Sequence, residues 1–288
     1  MPNTEKYIFI TGANSGIGLA TSKLLAASGY KIIAGVYPDI DAAEELLNSL
    51  NNTVIPLILD VTDSNSIDSV FEDISSIVKE DGLEAVINCA GIAMLMPCEA
   101  FTSQEIKKII DTNLTGTFLT SKASLPFLRK TQGTLINIAS DGGYLAMPFG
   151  SAYCASKFGV EALSDSLRAE VKKQHINVVV VEPGNIQTPI WQLAKTGLAR
   201  RLESLSPELF SLYQQDFNSL IQIESSGLKV DVVANKLKKI IENKNPKTRY
   251  IIGFDARITK VVSWLPAKMR DYLTVKVIES YGKKKGLV

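Results

Sequence analysis

Residues 6–18 read KYIFITGANSGIG, and their reading decides the fold. Lys6–Ile10 is rich in strand-forming residues, Thr11-Gly12 closes the run, and helical spacing begins at Ile17 and lasts to Ser28. Three glycines, Gly12, Gly16 and Gly18, lie between strand and helix. Gly12 permits a tight turn, Gly16 lets the backbone approach a ligand, and Gly18 lets the helix pack closely on the strand. The start of such a helix offers free N–H groups and the positive end of the helix dipole, which suit a phosphate. Strand, glycine turn and helix together point to a dinucleotide pyrophosphate. The spacing differs from G-x-G-x-x-G, and it is not a P-loop, which ends in Gly-Lys-Ser/Thr.

The pattern repeats outward from this stretch. Lys31–Val36, Val54–Leu59, Glu84–Asn88, Thr134–Ala139 and Ile176–Glu182 are continuous apolar runs, the mark of strands buried on both faces. Helical spacing fills Ser64–Lys79 and Ser103–Arg129. Strand and helix in alternation predict an α/β fold, a doubly wound parallel sheet of Rossmann type, in one domain spanning 1–288. Pro183-Gly184 ends the sixth strand. The mixed apolar segment 186–226 is read as a lid over the carboxyl ends of the strands, a compact surface insertion being the alternative. Asp231–Asn243 predicts an amphipathic helix with Asp231 as N-cap, and Arg249–Ile252 a final strand. Residues 259–288 form a C-terminal extension broken at Pro266.

The 288 residues hold 31 Lys+Arg against 30 Asp+Glu, so net charge gives no reason to expect a nucleic-acid partner. Cys89, Cys98 and Cys154 form no CxxC or His/Cys cluster, which argues against a disulfide framework or a metal site and fits a reducing compartment. The single histidine, His175, lies away from every motif and excludes a His-based triad. No apolar run approaches the roughly 20 residues of a membrane helix, and the N-terminus lacks signal-peptide organisation. A cytoplasmic location without membrane association is expected. Trp264 and Leu265 near Lys260, Lys268 and Arg270 could meet a membrane surface, although such patterns usually cover a core.

Tyr153 and Lys157, four apart, fall on one face of a helix. A free tyrosine titrates at about 10, and a neighbouring ammonium can lower that by roughly 1–3 units, toward the range that proton transfer needs.

The variant glycine spacing T11-G-x-x-x-G-I-G18 resembles the short-chain dehydrogenase/reductase family. The resemblance continues in order through Asp60-Val61, Asn88-Cys89-Ala90-Gly91, Asn113, Ser140, Tyr153-x-x-x-Lys157, Pro183-Gly184 and Thr188, and covers about residues 6 to 190. Cys89 departs from the family, which usually has a second Asn there. The resemblance implies NAD(P)-dependent interconversion of an alcohol and a carbonyl. Tyr153 would then be the proton donor or acceptor, Lys157 would tune it and hold the nicotinamide ribose, Ser140 would bond the substrate oxygen, and Asn113 would hold a water as proton relay. Cofactor binding would fall to Gly12, Asn14, Ser15, Gly16, Ile17, Gly18, Tyr37, Asp60, Val61, Asn88, Ala90, Gly91, Pro183, Gly184, Ile186 and Thr188, with Tyr153 and Lys157. Asp60, on the adenine by resemblance, could instead cap the next helix. A non-catalytic redox sensor or scaffold of the same fold is the alternative function.

Cofactor choice is decided after the second strand. An NADP phosphate needs a base there, and Val36-Tyr37 and Ser15 offer none. The acid expected of a strict NAD enzyme is also missing at Val36, although Asp39 lies close and could equally be a cap. The reading favours NAD and keeps NADP open. Leu145, Met147, Pro148, Phe149, Ile92, Met94, Trp191, Leu193 and Phe217 predict an apolar substrate wall, hence a hydrophobic alcohol or ketone such as a steroid, retinoid or long-chain compound. By resemblance a homodimer or homotetramer is expected, built through about 104–130 and 151–174.

Overall fold

The computed structural model describes residues 5–38, 53–202, 205–222 and 227–283. Seven parallel strands form one sheet: β1 Tyr7–Thr11, β2 Lys31–Val36, β3 Val54–Ile58, β4 Ala85–Asn88, β5 Thr134–Ile138, β6 Asn177–Pro183 and β7 Arg249–Ile252, in spatial order β3-β2-β1-β4-β5-β6-β7. Tyr7 pairs with Lys31, Thr11 with Gly35 and with Asn88, and Asn88 with Asn137, so the carboxyl ends of the central strands lie level. The chain reverses direction across the sheet between β1 and β4, and an open crevice forms at that point.

The strands are buried on both sides, which explains their unbroken apolar character. Ile8 and Ile10 face one layer, where α1 (Gly16–Ala27) and α8 (Val230–Ile241) supply Leu25, Val233, Leu237 and Ile240. Tyr7 and Phe9 face the other, with Ile67, Val70, Phe71, Ile74 and Val78 of α2 (Ser64–Val78). Those five recur at helical spacing and form a single stripe. Asp63 caps α2, its side chain accepting the Asn65 N–H at 2.9 Å. Asp231 lies in the first turn of α8 and Lys229 is its N-cap residue, a correction of the cap placed at Asp231.

The helix expected over Ser103–Arg129 is helical throughout but has a defect. α3 (Ser103–Ile110) passes into a π-turn at Asp111–Thr115 and then into α4 (Gly116–Thr131). α5 (Ser151–Glu170) follows β5, and α6 (Pro189–Leu202) and α7 (Pro207–Gln222) follow β6. β7 leads into α9 (Phe254–Val262) and α10 (Ala267–Lys283). A buried polar chain joins strand ends to helices: the Asn88 amide donates to Ser121 Oγ at 2.9 Å and Asn137 Oδ1 at 2.8 Å, and Asn137 donates to Ser164 Oγ at 2.9 Å. No described helix is long and apolar enough to cross a membrane.

Candidate active site

β1 delivers the glycine turn to the crevice. Thr11 Oγ1 accepts the N–H groups of Cys89 and Ala90, both at 3.0 Å, and so ties the turn after β4 to the turn after β1. Gly12 and Gly16 adopt φ +64° and +49°, and a Cβ on Gly18 would lie 2.1 Å from the Gly12 carbonyl oxygen. Ser15, the N-cap residue of α1, makes no side-chain cap hydrogen bond, so the helix start keeps its anion-binding character. The Asn14 amide donates to the Tyr37 carbonyl at 3.1 Å and fixes the end of β2 beside the turn.

A cleft of about 730 Å³ runs from Asp60 and Val61, over the glycine turn, to Ser140, Tyr153 and Lys157. Every residue read from the sequence as catalytic or cofactor-binding lines it except Gly18, Asn88 and Asn113, which stand behind its wall. Gly18 is the packing glycine, and Asn88 belongs to the buried polar chain. Asn113, fully buried in the π-turn, accepts the Ile92 N–H at 2.8 Å and donates to the Ile92 carbonyl at 2.9 Å and Ser156 Oγ at 3.0 Å. It therefore clamps the Gly91-Ile92 turn beside Lys157. Asp60 Oδ1 accepts the N–H and hydroxyl of Thr62 at 2.8 and 2.7 Å and does not cap α2. Asp39, considered for the cofactor ribose, lies outside the described residues.

Two elements bring the candidate catalytic groups together. Ser140 ends the segment after β5, and α5 carries Tyr153 and Lys157 one turn apart. All three are buried. Burial pushes the Tyr153 phenol above its ordinary value, and the Ser140 hydroxyl, in hydrogen-bond contact, opposes the rise. Burial also brings Lys157 down to about 8. The Lys157 ammonium stands 5.9 Å from the Tyr153 ring centre and donates to the Ile138 carbonyl at 2.8 Å. The expected lowering of Tyr153 by Lys157 is absent in this structure: desolvation dominates, and the ammonium gives a hydrogen bond to the backbone.

Asp141, next to Ser140, is a residue that the sequence reading missed. Its Oδ1 accepts the Ser140 hydroxyl at 3.0 Å, while Ser140 Oγ accepts the Gly142 N–H at 3.2 Å. Burial raises Asp141 to about 6. An acid directly after a strand-ending serine, in A139-S-D-G-G143, was the available signal. Asp255 was missed as well. It accepts the Asn185 N–H at 2.6 Å and fixes the Pro183-Gly184 turn, where a Cβ on Gly184 would lie 2.5 Å from its Oδ2. From the next stretch, Thr188 reaches across to Gly16, whose Cβ would meet Thr188 Cγ2 at 3.3 Å.

Trp191 of α6 stands edge-on to Tyr153 with ring centres 5.7 Å apart. A side cavity of about 310 Å³ shares Gly91, Ile92, Ile190, Leu193 and Lys108 with the cleft; Met94, Leu95, Met96, Phe101 and Leu198 line its remainder, together with Glu105 and Arg201, which pair at 3.0 Å. Of the predicted apolar wall, Ile92, Met94, Trp191 and Leu193 line these spaces. Leu145, Met147, Pro148, Phe149 and Phe217 do not. Phe217 is buried between Phe210 and Tyr213, and Phe149 packs edge-on to Tyr213 at 6.0 Å. Those aromatics serve the small core that holds α6 and α7 in place.

The residues suit a nicotinamide dinucleotide. The glycine turn leaves room at an uncapped helix start, and the same cleft of about 730 Å³ is lined by an ammonium and a phenol. A family model described as short chain dehydrogenase matches residues 6–198. The chain is 31% identical over 284 residues to short-chain dehydrogenase/reductase family 9C member 7 of Bos taurus, covering 94% of this chain and 89% of that protein. It is 31% identical over 294 residues to retinol dehydrogenase 16 of Homo sapiens, covering 97% and 90%. Its fold superposes on the crystal structure of a short-chain dehydrogenase from Streptomyces avermitilis with a TM-score of 0.75, at 24% identity and covering 98% and 99% of the two chains. The glycine turn, the Ser140–Tyr153–Lys157 site and these likenesses agree: the chain belongs to the short-chain dehydrogenase/reductase family, NAD(P)-linked oxidoreductases of alcohol and carbonyl groups.

Proposed function

We propose that this enzyme interconverts a hydrophobic secondary alcohol and its ketone, or a long-chain primary alcohol and its aldehyde, using NAD. The observation that carries the substrate class is the apolar side cavity that opens off the cleft at Ile92 and Ile190. Its apolar side chains select by shape and area, and since Glu105 and Arg201 pair with each other, a many-hydroxyl substrate would lose hydration against most of that wall.

The bound nicotinamide would supply or accept hydride. Tyr153 holds the proton at its phenol oxygen and passes it to the substrate oxygen in reduction, or takes it back in oxidation. Burial favours the protonated phenol, the form that reduction needs. Ser140 Oγ is held by the Gly142 N–H, and its hydroxyl would turn from Asp141 to the substrate oxygen and steady it as charge develops. Lys157 would hold the ribose, and its charge would favour the phenolate once proton transfer begins. Asn113 keeps the Gly91-Ile92 turn in register with Lys157. The α6–α7 segment serves as the lid of a single-domain enzyme and excludes water, with Trp191 closing over Tyr153.

The lean to NAD rests on charge. Among the described residues lining the cleft the cations are Lys107, Lys108 and Lys157, all from the chain after β4, and Lys107 pairs with Asp111. Lys31, at the opposite end of β2, pairs with Glu5 at 3.5 Å. Three free cysteines agree with a cytoplasmic, reducing setting.

Absorbance at 340 nm with a panel of steroids, retinoids, long-chain alcohols, polyols and short hydroxy acids, each with both cofactors, tests this reading. The expected result is the highest kcat/KM for an apolar compound with NAD. A polyol or sugar as best substrate contradicts the substrate class. A tenfold preference for NADP, about 1.4 kcal/mol, contradicts the cofactor choice.

A further inference from the structure

We infer that α9 and α10 form a docking surface for an anionic membrane. The inward side of α9 is fully committed: Ala256 is buried and its carbonyl accepts the Tyr144 hydroxyl at 2.7 Å, Asp255 holds the Asn185 N–H, and Lys260 lies 4.1 Å over the Tyr144 ring. The outward side carries Phe254, Ile258 and Val261, spaced by four and three residues along one helical stripe. Phe254 is 77% exposed, and Trp264, just beyond the helix, is 75% exposed. On α10, Met269, Tyr272, Val275 and Val277 are also exposed. The expectation that Trp264 covers a core is therefore corrected.

Single exposed apolar residues are ordinary, but a stripe along α9 followed by more on α10 marks an interaction surface. Charge identifies the occupant. From Phe254 to Val288 the sequence holds eight Lys or Arg against three Asp or Glu, while the whole chain stands at +1, so the remainder is net negative. Arg257 and Lys268 are exposed within the apolar run. A second copy docked through the same face would set these cations against their own kind. A layer of anionic headgroups over acyl chains matches both the cations and the apolar stripe, and an indole such as Trp264 favours the boundary between them. Since no described helix can span a bilayer, the contact is in-plane. α10 packs against α7, and α9 against the turn after Ser140, so docking brings the lid to the lipid. That consequence for substrate access rests on the apolar-substrate reading; the docking itself does not.

Vesicle co-sedimentation of the full chain is the test, with phosphatidylcholine alone and with about one third phosphatidylserine. Expected is at least ~10-fold stronger partition onto the anionic vesicles, weakening as salt is raised. A Phe254→Ser/Trp264→Ser protein with an unchanged melting curve should lose that binding. If it does not fold, an Arg257→Ser/Lys268→Ser protein reads the electrostatic part alone. With Trp191→Phe, Trp264 remains the sole tryptophan, and its emission should shift to the blue on anionic vesicles. No vesicle binding, equal binding to both compositions, or a dimer that Phe254→Ser/Trp264→Ser dissociates without any vesicle binding would each overturn the proposal. All these readouts are independent of substrate turnover.

Discussion

Tyr153 and Lys157 stand on one face of α5, yet burial shifts each more than any neighbouring charge does. Their identity and spacing were legible in the sequence. The balance was not, because desolvation depends on what the rest of the chain places around a group. Asp141 illustrates the same limit: its type was visible, but its burial against Ser140 was set by how the turn after β5 folds. Its folded carboxyl titrates at about 6, against about 4 in an unfolded chain. The folded state thus keeps this proton between about pH 4 and 6 while the unfolded chain has lost it. The stabilising effect is complete below about 4 and is lost as pH rises through about 6. Asp141→Asn cannot ionise, so at pH 8 it should be more stable than the natural chain by up to about 3 kcal/mol and near parity at pH 4. Scanning calorimetry at both pH values checks this; the same difference at both would refute it.

Elements were legible where periodicity was clean and least legible where a helix changes winding. The stretch from Ser103 to Arg129 has helical spacing throughout, yet at Asp111–Thr115 the turns widen, and the Gly116 N–H bonds the Asp111 carbonyl. One added residue per turn hardly disturbs an apolar pattern, so the sequence hid the feature that aims Asn113 at Ile92. The helices after β6 were readable as an insertion, but the division of their aromatics between cavity wall and internal core was not. Both uses demand the same residue type. The glycine turn was read well because close approach leaves so few choices of residue. Gly18→Ala would force a methyl into the Gly12 carbonyl. It should cost about 1–3 kcal/mol in urea denaturation and weaken dinucleotide binding measured by titration. A variant with unchanged midpoint and affinity would show that α1 does not pack on β1 as described.

At the scale of the molecule, the sheet order places the ends of β1, β4, β5 and β6 around one crevice, and residues from Gly12 to Thr188 meet there. We propose that subunits assemble through the two helices beside this crevice. Phe118 on α4 and Phe158 on α5 are 51% and 42% exposed, and a partner packed on these helices would brace the helix that holds Tyr153 and Lys157. Light scattering at micromolar concentration should therefore report a dimer or tetramer, and a stable monomer would refute that arrangement. The central claim, that Tyr153 moves the proton in a nicotinamide-linked reaction, is tested most directly by kcat of Tyr153→Phe on the best substrate of the panel. The ring and its packing on Trp191 remain, so the melting curve and cofactor affinity should be preserved while kcat falls at least ~100-fold. A kcat close to that of the natural chain would contradict the account.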